Sequence, residues 1–192
     1  MTTANPLALF HGDRARARAA GDPMAALCTL ATSGAESEPD LRTLVLRDVD
    51  DALAVFVNAS SPKWNALQSG AALLTYWPSI QIQYRLRVTT AAVPTDVVHT
   101  SWQLRPDPPK RMDWFYQQRR AQSSPVASRN ALLAELAALE LPEPLHAPAQ
   151  ARGMLLTPIE IERLDLTQAD GIHDRRRFRW VDATWHEEVL VP

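Results

Sequence analysis

Cysteine is all but missing from this chain: Cys28 stands alone. No intrachain disulfide can form, and a lone thiol suits a reducing compartment. Cys28 sits in the stretch MAALCTLAT, which reads as a buried strand, and no histidine is near it in sequence. A packed core thiol is expected there, not a nucleophile. Glycine is scarce as well, with 6 residues in 192. Neither G-x-G-x-x-G nor G-x-x-x-x-G-K-[ST] occurs, which argues against a glycine-cradled phosphate. Basic charge is not in excess: the net charge is −2, so the chain as a whole has no nucleic-acid footprint. No apolar run approaches the length of a membrane span, and the N-terminus lacks the apolar core of a secretory signal. These absences point to a cytoplasmic protein with neither nucleic acid nor membrane as partner. The 5 histidines are scattered, with no H-E-x-x-H and no G-x-S-x-G, so no metal or hydrolase site is expected.

What is present is an ordinary globular composition, 46% hydrophobic and 22% charged. Pro6 to Ala20 reads as a helix capped by Asn5, with Pro6 at its first position and GDP at its end. The arginines of RARAR within it are expected to form a solvated face. A β-rich body follows. Leu41–Val49 and ALAVFVN read as a hairpin turning at DVDD. AALLTYW and IQIQYRLRV read as a second strand pair. In the latter, Ile80, Ile82, Tyr84, Leu86 and Val88 fall on one face and Gln81, Gln83, Arg85 and Arg87 on the other. PTDVVHTSWQLRP is a short helix, DPPKRMDWFYQQRRAQSSP a loop with one turn of helix, and VASRNALLAELAALE a strong amphipathic helix. A proline-rich crossing and three strands close the chain. This order predicts a mainly β protein with peripheral α-helices: one domain over residues 1–192, built on an antiparallel barrel, with a helical insertion at about 94–140.

Without a glycine loop, a phosphate must be held by side chains and a helix start. NASSPKWNAL places Ser61 and Lys63 at such a start, directly after a strand. Ser61 offers a hydroxyl and Lys63 a point charge. If Leu41–Val49 pairs with the strand ending at Asn58, Arg42 arrives at the same end. Two cations would then converge on one anion.

The segments ALCTLAT, RTLVLRDVDDALAVFVNASSPKWNAL, QIQYRLRV, LRP, AQSSPVASR, GIHDRRRFRW and WHEEVLVP occur in this order over nearly the whole chain. In this the chain resembles the pyridoxine/pyridoxamine 5′-phosphate oxidases, which are FMN-binding split barrels. The resemblance implies an antiparallel split barrel and a homodimer with FMN at the interface. It implies that Arg42 and Lys63 hold the FMN phosphate with Ser61 beside them, that the Thr43, Leu44 and Val45 backbone runs along the flavin, and that Gln83 hydrogen-bonds it. Gln122, Ser123 and Arg175 would reach the cofactor from the other subunit.

The substrate half of the pattern departs from the family. Arg47 stands where a lysine is expected, Ser101 where a tyrosine is, and Gly171 where an arginine is, two residues before His173. Leu164 replaces a tryptophan. Arg105 matches the family's phosphate-gripping arginine and His173 its histidine. The resemblance therefore implies an FMN-dependent oxidoreductase passing hydride from a small anionic substrate to flavin N5, with a diverged substrate. His173 would be catalytic, and Arg47, Ser101, Arg105 and His173 would bind substrate. The alternative is a non-catalytic flavin carrier or sensor, which the missing substrate residues favour.

Overall fold

The structure, a computed structural model, describes residues 5–33 and 38–192. The first helix, α1 (Pro6–Ala19), starts as expected, with the Asn5 side chain accepting from the Leu7 N–H. Its arginines are not all solvated. Arg14 is 1% exposed and donates to the carbonyls of Ala25 and Leu46 and to Asp48 Oδ1, at 2.6–2.7 Å. On the same helix Asp13 accepts from the Tyr84 hydroxyl at 2.6 Å and from Arg163 Nε at 2.8 Å. The RARAR run thus carries the bolt that fixes α1 to the barrel. Charge alone hid it, because a buried arginine is stable only when all its donors find partners, and those partners are distant in sequence.

The described residues form nine strands, all paired antiparallel: β1 (Leu27–Ser33), β2 (Pro39–Val45), β3 (Arg47–Val49), β4 (Ala52–Asn58), β5 (Ala71–Trp77), β6 (Ile82–Ala92), β7 (Ala151–Asp165), β8 (Asp174–Val181) and β9 (Thr184–Leu190). The neighbour order is β2-β1-β5-β6-β7-β4-β3. The expected hairpin of Leu41–Val49 with β4 holds only for β3, whose Arg47 faces Ala54. Before Leu46 the chain pairs instead with β1, Arg42 opposite Leu30. Leu46 is buried at this change of partner, and Arg14 holds its carbonyl. One kinked segment thereby joins β1 to β4 and closes the barrel. The split lies on β7, whose first half pairs with β4 and whose second half pairs with β8.

In β6, Ile82, Tyr84, Leu86 and Val88 are buried, as the alternation predicts, while Ile80 falls in the preceding turn. Cys28 is buried in β1. Burial pushes its thiol up to about 12, which leaves no thiolate near neutral pH.

A second core lies outside the barrel, where α3 (Thr95–Gln103), α4 (Asp107–Gln118) and α5 (Arg129–Ala137) pack on β4 and β7. The expected loop at DPPKRMDWFYQQ is the twelve-residue α4. Pro108 and Pro109 lie in its first turn, where the missing N–H groups have no helical partner to lose. The strong amphipathic helix expected over 126–140 is shorter, and none of its residues is fully buried. Between β4 and β5 lies α2 (Pro62–Leu67).

Candidate functional site

A cavity of about 240 Å³ opens where α2, α4 and the β4 end meet. Leu44, Phe56, Val57 and Met112 supply apolar walls, and Asn58, Lys63, Arg105, Asp113, Tyr116 and Gln122 supply polar groups. Four residues singled out from the sequence, Leu44, Lys63, Arg105 and Gln122, thus meet in one place.

Lys63 is central. Its Nζ donates to Ser61 Oγ at 2.5 Å and to Gln122 Oε1 at 3.3 Å, so one of its three N–H bonds is uncommitted among the described residues. Burial, and then the nearby Arg42 guanidinium, push its pKa below the ordinary lysine range, against an opposing pull from Asp40. Arg42 is thus close enough to act on the Lys63 charge, and it arrives from β2 paired to β1 rather than from a long hairpin. Its guanidinium donates to Thr32 Oγ1 at 2.7 Å and to Asp40. Ser61 is buried, and its side chain makes no helix-capping bond; it faces Lys63 instead.

Gln122 does not stand apart from this cluster. The resemblance implied that it reaches over from another subunit, yet its N–H donates to Ser60 Oγ at 3.0 Å and its side chain accepts from Lys63 of the same chain. The length of α4 brings it there. Ser123, next to it, is exposed and has φ 73, a strained backbone for a residue with a Cβ.

The remaining expected cofactor residues fall on another surface. Along β2, Arg42 and Leu44 are partly covered while Thr43 and Val45 are exposed on the outer face of the sheet. On that face Tyr76, Gln83, Leu164 and Arg175 form one cross-strand row over β5, β6, β7 and β8. Gln83 and Arg175 are two strands apart, about 10 Å. Arg175 is held by Glu162, with N–O distances of 3.0 and 3.2 Å.

Arg105 is not a free cation. It is ion-paired to Asp113, which is 4% exposed and also accepts from the Trp102 indole at 2.9 Å. The buried acid in RMDWFY went unread in the sequence. A single carboxylate among apolar helix residues, eight after an arginine, was its signal. Burial pushes the Asp113 carboxyl up, and Arg105 and Trp102 hold it back. Asn58 was likewise missed: it is 3% exposed, its Oδ1 accepts from Ser60 N and Oγ, and its Nδ2 completes no hydrogen bond. Arg47 is exposed on β3, opposite Ala54, and Ser101 is half-buried in α3. Neither lines the cavity. His173 is exposed in the loop before β8, also away from it, two residues after Gly171 with φ +75.

The closed antiparallel sheet with a split on β7 defines this chain as a split β-barrel, and solved structures share it. PhzG from Burkholderia lata, solved with tetrahydrophenazine-1-carboxylic acid, superposes with a TM-score of 0.83 at 23% identity, over 98% of this chain and 93% of its own. A pyridoxamine 5′-phosphate oxidase-related, FMN-binding protein from Nostoc punctiforme gives 0.79 at 20% identity, over 100% of both chains. Pyridoxine/pyridoxamine 5′-phosphate oxidase of Pseudomonas putida is 33% identical over 97% of this chain and 88% of its own length. That of Pseudomonas entomophila is 31% identical over the same shares. The chain belongs to the pyridoxine/pyridoxamine 5′-phosphate oxidase family, although no family model matches it. No helix among the described residues is long and apolar enough to cross a membrane.

Proposed function

We propose that the chain is a cytoplasmic FMN-dependent oxidoreductase. The observation that carries this reading is the hydrogen-bonded cluster of Lys63, Ser61 and Gln122, beside a cavity that Lys63 and Gln122 line, with the Arg42 guanidinium close enough to act on the Lys63 ammonium. These residues fit a phosphomonoester. Two cations and a hydroxyl converge, an ammonium N–H is unspent, and the one acid among them, Asp40, is mostly exposed. Lys63 and Arg42 would hold the FMN phosphate, with Ser61 and Gln122 fixing the ammonium. When bound, FMN supplies a hydride acceptor at its N5. The apolar walls Leu44, Phe56, Val57 and Met112 would exclude water and hold a small substrate flat. Arg47 supplies a positive approach for an anion.

Thr43, Val45, Gln83, Ser123 and Arg175 lie outside this cavity. The reading assigns Gln83 and Arg175 to the cofactor of a partner copy, in a homodimer. His173, exposed on its loop, would meet substrate in the same way and position its polar group. A second reading, a flavin carrier without turnover, is supported by Asp113 occupying Arg105.

The absorption spectrum of the purified protein tests the cofactor: flavin bands are expected, and their absence after FMN addition and removal of unbound flavin would refute both readings. Anaerobic bleaching by a small organic donor separates enzyme from carrier.

A further inference from the structure

Asp113 lies within the cavity wall, and three donors face it. Arg105 is ion-paired to it and the Trp102 indole donates to it. Asn58 points its amide toward it, close enough to favour its charged form without completing a hydrogen bond. Asp113 is 4% exposed, so giving up Arg105 to an arriving anion would leave a buried carboxylate without its ion-pair partner. The pair Arg105–Asp113 is electrically neutral as a unit. The other cation of the cavity, Lys63, is taken up by the cofactor phosphate in the reading above, on which this inference rests.

We propose that Asp113 is a built-in counter-ion that determines specificity: it fills the place of a ligand's phosphate at Arg105, so the site takes a planar ring without a phosphate group. A dianion arriving at Arg105 would have to share it with a buried carboxylate and would be repelled by that carboxylate. The cavity's size agrees. At about 240 Å³ it is smaller than the roughly 300–1,000 Å³ of common ligand pockets. It is walled by Leu44, Phe56, Val57 and Met112 and has room for a small ring system. Tyr116 is the polar group left to meet a ring nitrogen, a hydroxyl or a single carboxylate. Specificity here comes from a repulsive element set against the phosphorylated ligand, while the arginine that could attract it is still present. A family named for phosphorylated substrates would then include a member that has closed its phosphate grip from within.

The test is a matched ligand pair, pyridoxamine and pyridoxamine 5′-phosphate, which differ by the phosphate alone. Dissociation constants are measured by calorimetry on the FMN-loaded protein. The unmodified protein should bind pyridoxamine at least as tightly as its phosphate ester. Asp113→Asn keeps an acceptor for Trp102 and frees Arg105, so it should move the ratio toward the phosphate ester by about tenfold or more, as for a newly available charge-assisted hydrogen bond. Asp113→Asn combined with Arg105→Gln should lose that gain. Arg105→Gln alone should leave the ratio unchanged or move it further from the phosphate ester, which keeps the test open if Asp113→Asn fails to fold. An unmodified protein that already prefers the phosphate ester by tenfold or more would overturn the proposal. So would a ratio blind to Asp113→Asn, or a preference that disappears on Arg105→Gln alone. Uptake of FMN is read separately from its absorbance. Protein that takes no flavin but shows the Asp113-dependent shift refutes the flavin reading and keeps this one, and flavin-loaded protein without the shift does the reverse.

Discussion

Lys63 shows what a single residue discloses before and after folding. In the sequence its place at a strand-to-helix turn makes it a candidate anion anchor, and in the structure Ser61 and Gln122 accept from its ammonium. Asp113 and Asn58 stayed hidden because their meaning depends on burial, which no local pattern encodes for a lone polar residue. Losing a charged hydrogen bond costs about 1.5–3 kcal/mol, so Lys63→Ala should weaken FMN binding by that amount in a fluorescence-quenching titration. Unchanged affinity in both Lys63→Ala and Arg42→Ala would remove the phosphate from this site. The pH dependence follows from the depressed Lys63 pKa. Phosphate binding needs the ammonium, so affinity is full well below the lowered pKa and falls as pH rises through it. The fall should begin earlier in the alkaline range than an ordinary lysine, with its value of 10.5, would give. The Lys63→Ala protein should lack this alkaline loss.

Among the elements, strands were more legible than helices. β4, β5 and β6 announce themselves by alternation or by unbroken apolar runs between turn residues, and they appear close to where they are expected. The errors fell where distant partners decide. The segment Leu41–Val49 reads as one strand, but Arg14 and the buried Leu46 divide it between β1 and β4. Two prolines disguised the start of α4, and the helix they begin supplies Asp113, Tyr116 and the approach to Gln122. Helix α1 carries the element-scale prediction. Asp13 is 3% exposed and accepts from Tyr84 and Arg163 across the barrel and from Arg16 on its own helix. Asp13→Ala would leave Arg163 without this partner and should destabilise the fold by about 3–5 kcal/mol, the cost of breaking a buried ion pair. Tyr84→Phe removes one hydrogen bond and leaves the Asp13–Arg163 pair, so about 1–2 kcal/mol is expected. Urea denaturation of the two variants checks the order. Equal losses would mean that α1 is held by Phe10 and its apolar neighbours rather than by this network.

At the scale of the whole molecule, the expected cofactor residues divide between two surfaces of one chain. Lys63 and Gln122 line the small cavity, with Ser61 bonded to Lys63 and the Arg42 charge acting on it. Gln83 and Arg175 share the outer face of the sheet with Thr43 and Val45. That face is unusually apolar for a solvated surface: Leu41, Val45, Leu74 and Tyr76 are 65, 45, 38 and 39% exposed. It also holds a broad depression of about 650 Å³, lined in part by Leu41, Leu74, Arg85 and Glu162. A second copy would cover it. An isologous contact that set the Gln83–Arg175 row of one protomer facing the Lys63 cavity of the other would complete both cofactor sites by one two-fold axis. Assembly and cofactor retention should then rise and fall together. Leu41→Arg combined with Leu74→Arg places charges in the apolar face and touches neither Lys63 nor Arg42. Light scattering should report a dimer for the unmodified protein and a monomer for this variant, and the monomer should lose FMN during gel filtration although its phosphate anchor is intact. A monomer that keeps its flavin, in either protein, would show that one chain completes the site and that Gln83 and Arg175 belong to the sheet alone.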